Sequence, residues 1–141
     1  MNNLTPNDRK EINEAIAAGN RVLSSLNEAL KYLNKARDWG VFDILGGGLF
    51  TNLMKHSRLS DANNCLNRVN YELQNFRKEL SDVSFILPSS FNIEGFLTFA
   101  DFFWDGLLAD FMVQSRIKKN IVAVEDAINR VTAILRSLSS L

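Results

Sequence analysis

The sequence is poor in the residue types that most often announce chemistry. It has one cysteine, one histidine and two prolines in 141 residues. The lone Cys65 excludes an internal disulfide and fits a reducing compartment. It reads as a small buried or half-buried thiol. A single histidine rules out a carboxylate-bridged di-metal bundle, which needs two Glu-x-x-His pairs. With no Gly-x-Ser-x-Gly turn either, no nucleophile and base stand out, and the sequence points away from an enzyme.

Net charge is missing too. Sixteen basic and sixteen acidic residues cancel, so no overall field draws the chain to nucleic acid. The longest stretches without charge, residues 44–54 and 83–93, are 11 residues each, well short of the ~20 of a membrane span. The first residues lack the apolar run of a signal peptide, so a cytoplasmic protein is expected. Both prolines fall outside the periodic segments, which favours long uninterrupted helices.

What is present is heptad periodicity over a single domain, residues 1–141. Thr5 and Pro6 suit the N-cap and first position of a helix whose seam is Ile12, Ile16, Gly19, Leu23, Leu26, Leu30 and Leu33. Gly19 in that seam suggests a close helix approach. Asn13, Asn20, Asn27 and Asn34 recur beside the seam and read as a half-solvated flank. This helix is expected to end at Asp38 and Trp39-Gly40. The next helix is expected after Ser57 or Ser60, with its seam at Leu59, Ala62, Leu66, Val69, Leu73, Phe76, Leu80 and Val83. Between them Gly46, Gly47 and Gly48 read as a structured corner with Trp39, followed by a short helix over residues 49–54. Residues 82–90 form a turn closed by Pro88. The last seam is Ile117, Ile121, Val124, Ile128, Val131, Leu135 and Leu138.

Residues 91–114 stand apart. They hold six of the ten phenylalanines, one of two tryptophans and four acidic residues, with no Lys or Arg. Two architectures fit. A break at Asp105-Gly106, with Gly106 past the end of one helix and Asp110 capping the next, gives an up-down-up-down four-helix bundle. The alternative is a three-helix coiled-coil bundle whose last helix is continuous over residues 92–138. That helix would be ~70 Å long by a 1.5 Å rise, and its unpartnered stripe would demand a dimer. The four-helix reading is preferred.

In that reading the glycine corner and the 105–110 turn lie at one end. Asp43, Lys55, His56 and Arg58 would approach Asp101, Asp105, Asp110 and Gln114 there. Ion pairing is the expected outcome, and a metal or small-ligand site the alternative; no cofactor is expected. Glu11-x-x-Glu14 with Glu79-x-x-Asp82 is faintly similar to the acidic motifs of all-helical nucleotide pyrophosphatases. These acids fall off the seams, though, and are expected to lie too far apart to share a metal. Phe96, Phe99, Phe103 and Phe111 have core spacing. Phe91, Phe102, Trp104, Leu108 and Met112 are in excess of what a small bundle can surround, and aromatics with Met are enriched at interface centres. They are expected to face a protein partner or a second copy. Lipid is disfavoured for this segment because membrane-surface helices carry Lys or Arg on their polar face.

The Trp39-Gly40-x-x-Asp43-x-x-Gly46-Gly47-Gly48 motif, Lys55-His56, and Phe99-Ala100-Asp101-Phe102-Phe103-Trp104-Asp105-Gly106 with Asp110 and Gln114 together resemble a family of small uncharacterised bacterial all-helical proteins. The resemblance implies a bacterial cytoplasmic protein and brings no activity with it.

Overall fold

The computed structural model describes residues 4–46, 48–88, 91–110 and 117–141, except for the side chains of residues 36, 39–63, 104 and 107–110. The chain is all-helical, with α1 Pro6–Gly46, α2 Gly48–Val83, α3 Ile93–Asp110 and α4 Ile117–Ser139. α1 packs on α2 and α4, and α3 closes the other side against the same two helices.

Local chemistry sets the helix starts. Thr5 and Asp8 form a reciprocal cap: the Asp8 amide donates to Thr5 Oγ1 at 3.0 Å and the Thr5 amide to Asp8 Oδ2 at 3.0 Å. Pro6 takes the first helical position as expected. At α3, the Gly95 amide donates to Asn92 Oδ1 at 3.0 Å. Between α2 and α3 the chain turns on hydrogen bonds from Ile86 N to Val83 O and from Phe91 N to Pro88 O.

Every neighbouring pair of helices is antiparallel. Arg21 pairs with Glu72 at 3.1 Å and Glu28 with Arg68 at 3.6 Å, which fixes the α1–α2 register about residues 47–48. Phe91 and Asn92 share a groove with Ala133, Ile134 and Ser137, and the Arg130 guanidinium lies 4.3 Å from the Phe99 ring centroid. In a continuous helix over residues 92–138 those groups would lie at opposite ends, so the long-helix alternative is excluded.

Three expected boundaries are corrected. α1 does not end at Trp39-Gly40 but continues to Gly46, and α2 begins at Gly48 rather than after Ser57 or Ser60. An interior glycine costs a helix ~1 kcal/mol, a penalty rather than a prohibition, and Gly46 and Gly48 fall at helix ends. Residues 49–54 therefore belong to α2 and form no separate helix. Nor does the break fall at Asp105-Gly106: α3 runs through Gly106 to Asp110, which is its last residue and not the cap of α4. Gly106 keeps an ordinary helical backbone, and its carboxylate-rich surroundings are exposed, so nothing forces a turn there.

The core is built on small residues of α1. Ala15, Ala18, Gly19, Val22, Ser25, Leu26, Ala29 and Leu33 are buried. The expected seam residues Ile16, Leu23 and Leu30 are only partly buried. A helix packed on two neighbours needs a wider stripe than one seam, and here that stripe is rotated onto alanines. The α2 seam from Leu66 to Val83 is buried as expected, and so is the α4 seam apart from half-buried Ile128. Leu59 and Ala62 lie outside the described side chains. Asn13, Asn20 and Asn27 are exposed, in keeping with a solvated flank.

The helices differ in reach. Gly19 lies against Leu135, and 18 residues onward the register sets Arg37 level with Ile117, the first residue of α4. α1 then continues for nine more residues to Gly46, ~14 Å at 1.5 Å per residue. On the other side Asp101 is level with Arg77, so Asp110 comes level with residue 68. The α1–α2 hairpin therefore overhangs both α3 and α4.

Two glycine substitutions test this packing in opposite directions. A Cβ at Gly19 would meet Leu135 Cδ2 at 2.6 Å and Phe76 at 3.0 Å, whereas one at Gly106 meets nothing within 4 Å. Gly19→Ala should therefore lose about 1–2 kcal/mol despite the gain in helix propensity, and Gly106→Ala should gain up to ~1 kcal/mol. Urea titrations of both variants check the pair. A destabilised Gly106→Ala protein would mean that α3 does not pass through this residue as a helix.

Candidate functional site

α3 carries the aromatic cluster on its inner side. Phe96 meets Phe76 of α2 edge-on, ring centroids 5.6 Å apart, and the Phe99 and Phe103 rings stack at 5.7 Å. Phe96 and Phe103 are buried, and Phe99 is half-buried under Arg130. These positions are core, as their spacing suggested; Phe111 lies outside the described residues. The outer side of α3 shows Glu94, Thr98, Asp101, Phe102, Asp105 and Gly106 to solvent.

Of the residues expected at an interaction surface, Phe102 is 74% exposed. Phe91 is instead half-buried, set between Pro88 and Ile134 in the groove beside the α2–α3 turn. The side chains of Trp104 and Leu108, and Met112 altogether, lie outside the described residues. Exposed apolar residues that sequence spacing did not single out are Phe85 in the α2–α3 turn, Tyr71 of α2 and Val122 of α4. Both tyrosine and valine sit off the heptad seams, which is the only signal the sequence offered.

The expected polar cluster does not assemble around Asp101. Asp101 Oδ1 accepts from Arg77 Nη1 at 2.8 Å, and that same nitrogen donates to Gln74 Oε1 at 3.3 Å. Positions 56 and 77 are 21 residues apart on one helix, so Asp101 is set ~30 Å along α2 from His56. The separation follows from the antiparallel α2–α3 register, which sets Asp101 beside Arg77 in the C-terminal half of α2. Asp105 is exposed one turn further along α3. The side chains of Trp39, Asp43, Lys55, His56, Arg58 and Asp110, together with Gly47 and Gln114, lie outside the described set.

Acids meet elsewhere. Among the described residues, Glu11, Glu14 and Glu79 bring one carboxylate oxygen each within 4.8 Å of one another. This corrects the expectation that the two Glu-x-x-acid pairs lie too far apart. Their separation along the chain is large, but the α1–α2 hairpin folds it away. Glu79 is held above the usual carboxylate range, first by burial and then by the charges of Glu14, Asp82 and Glu11, with Lys78 opposing. Its Oε2 is shielded from solvent with no hydrogen-bond partner. Glu14 reaches Lys10 at 4.0 Å, with its side chain 43% exposed. Glu79 therefore takes up a proton more readily when folded than when unfolded.

Cys65 behaves as the buried thiol that was expected. It is 3% exposed, with its Sγ 3.9 Å from the Ser25 carbonyl oxygen. Burial and the nearby Glu28 charge push its pKa up to about 11. The thiolate that reacts with electrophiles is therefore scarce at neutral pH.

No described helix is long and apolar enough to cross a membrane. Two outcomes follow from the titratable groups. Because the folded pKa of Glu79 is raised, its contribution to stability is complete below the ordinary value of 4.5 and is lost as pH rises through the folded value. Glu79→Gln should therefore raise the melting temperature at neutral pH, with the gain disappearing in acid; thermal melts across a pH series check it. Cys65 should resist a thiol reagent in the folded protein and react stoichiometrically once urea unfolds it, which absorbance of the released thiolate follows.

No family model, curated protein or solved structure matches this chain.

Proposed function

We propose that this chain is a non-enzymatic helical-bundle interaction protein that self-associates or binds another protein through the outer face of α3. The observation that carries the reading is Phe102, a large aromatic 74% exposed in the middle of a helix whose other described phenylalanines are tucked inward. An aromatic anchor rimmed by exposed Asp101 and Asp105 has the makeup of an interface centre with a polar border. The acidic rim favours a partner surface that brings Lys or Arg to meet it. The competing ligand-site reading, which drew Asp101 toward His56, has lost that carboxylate to Arg77.

Light scattering at micromolar concentration tests self-association, with Phe102→Ala expected to weaken it about tenfold or more. Circular dichroism should show unchanged helicity, because the side chain is outside the core. A monomeric wild-type chain removes the self-associating form. In that case a photocrosslinking residue at position 102 should give a discrete adduct with one partner in the native cell. If it gives none, the proposal fails.

A further inference from the structure

α3 and α4 carry opposite charge. Residues 93–110 hold four acidic residues and no basic one, whereas residues 117–139 hold four basic and two acidic ones. Among its described side chains each helix exposes one large apolar residue, Phe102 at 74% and Val122 at 64%. The exposed stripe of α3 around Phe102 is Glu94, Thr98, Phe102 and Asp105, at spacings of four, four and three. On α4 it is Lys119, Val122, Asp126 and Arg130, at spacings of three, four and four, with Lys118 beside it. Among the described residues no ion pair uses Glu94, Asp105, Lys118 or Lys119. Asp126 is already held by Arg130 at 3.0 Å.

The two stripes have the same spacings in reverse order. Laid antiparallel with Phe102 on Val122, they bring Asp105 to Lys119 and Lys118, Thr98 to Asp126, and Glu94 to Arg130. A parallel alignment would set Asp105 on Glu125, and α3 against the α3 of another copy would set carboxylates on carboxylates. Both are repulsive. Within one chain the match cannot form. The Arg130 guanidinium lies 4.3 Å from the Phe99 ring centroid, so Phe102 is level with about residue 127, five residues or ~7.5 Å from Val122. Both stripes also face solvent.

We infer that the occupant of the Phe102 face is the outer face of α4 on a second copy of this chain, joined head to tail. The inference rests on the Phe102 face being an interface and names what covers it. A two-fold axis along the helices would oppose residues of equal height, which Phe102 and Val122 are not. The contact is therefore heterologous: each pair of copies keeps one free α3 face and one free α4 face, and further copies add to them. Its apolar centre is one Phe on one Val, small beside a stable interface, and the charges set its orientation. The association is weak and salt-sensitive.

Sedimentation of the full chain over a concentration series tests the inference. The mean mass should rise with concentration and fall back in high salt. Phe102→Ala and, separately, Lys118→Glu with Lys119→Glu should each weaken association about tenfold or more. Circular dichroism and melting should show both variants folded, because these side chains lie outside the core. An equimolar mixture of the two variants should form a heterodimer and nothing larger, since one intact α3 face meets one intact α4 face. A wild-type chain that stays monomeric overturns the inference and leaves the Phe102 face to a different protein, which crosslinking at position 102 decides. Association lost in Phe102→Ala but unchanged by the lysine reversals overturns the α4 assignment while the Phe102 interface stands. A mixture of the two variants that stays monomeric does the same. Association indifferent to Phe102→Ala overturns both.

Discussion

Two neighbouring helices approach α1 closely at Gly19, where Leu135 of α4 and the ring of Phe76 of α2 converge on the α1 backbone. Ala15, Ala18 and Ala29 continue that small-residue face in both directions. Because these positions carry almost no side chain, two neighbouring helices can lie against α1 at once, and their Leu, Val and Phe side chains supply the volume. Interior packing has little room for adjustment, so a groove of this kind fixes axis separation and register together. The remainder of the molecule hangs from that choice. α2 and α4 are placed by α1, and α3 fills the space left between them.

With α2 held so, its paired charges confirm the alignment. Arg21 with Glu72 and Glu28 with Arg68 lie across the α1–α2 interface at spacings one register alone allows. These pairs are partly solvated and contribute little stability each, but a slipped register would bring like charges together. The same alignment has a cost near the open end of the hairpin. Glu11, Glu14 and Glu79 crowd one another there, and Glu79 is the group that suffers, being partly desolvated beside three other carboxylates. That cost falls on a half-open surface where water and Lys78 relieve part of it, so the fold tolerates it.

α3 is held differently. It is short, and its contacts run through bulky rings, with Phe76, Phe96, Phe99 and Phe103 touching in sequence and Arg130 lying over Phe99. Rings keep the axes further apart than alanines do, and an outward Phe102 is left without an inner place. The outer side of the bundle consequently offers an aromatic residue among carboxylates.

Much of this was legible in the residues themselves. Heptad spacing alone identified the helical class and the buried faces of α2 and α4, and Thr5-Pro6 located the first cap. The core role of Phe96 and Phe103 followed from their period. These are local properties, set by which side chains recur on one face of a helix. Helix ends proved harder. Glycine near residues 40–48 and at 106 signals a break only as an energetic tendency of ~1 kcal/mol, which flanking helix formers and tertiary packing can override. The site depended on register: the packing of α3 on α2 puts Asp101 beside Arg77, 21 residues and ~30 Å along α2 from position 56. Only the tertiary structure could bring Glu79 to Glu11 and Glu14, because a contact between residues some seventy positions apart is decided by how the hairpin closes. Periodicity fixes which face of a helix is buried; where two helices meet along their length is a global property, set here by the small-residue groove of α1.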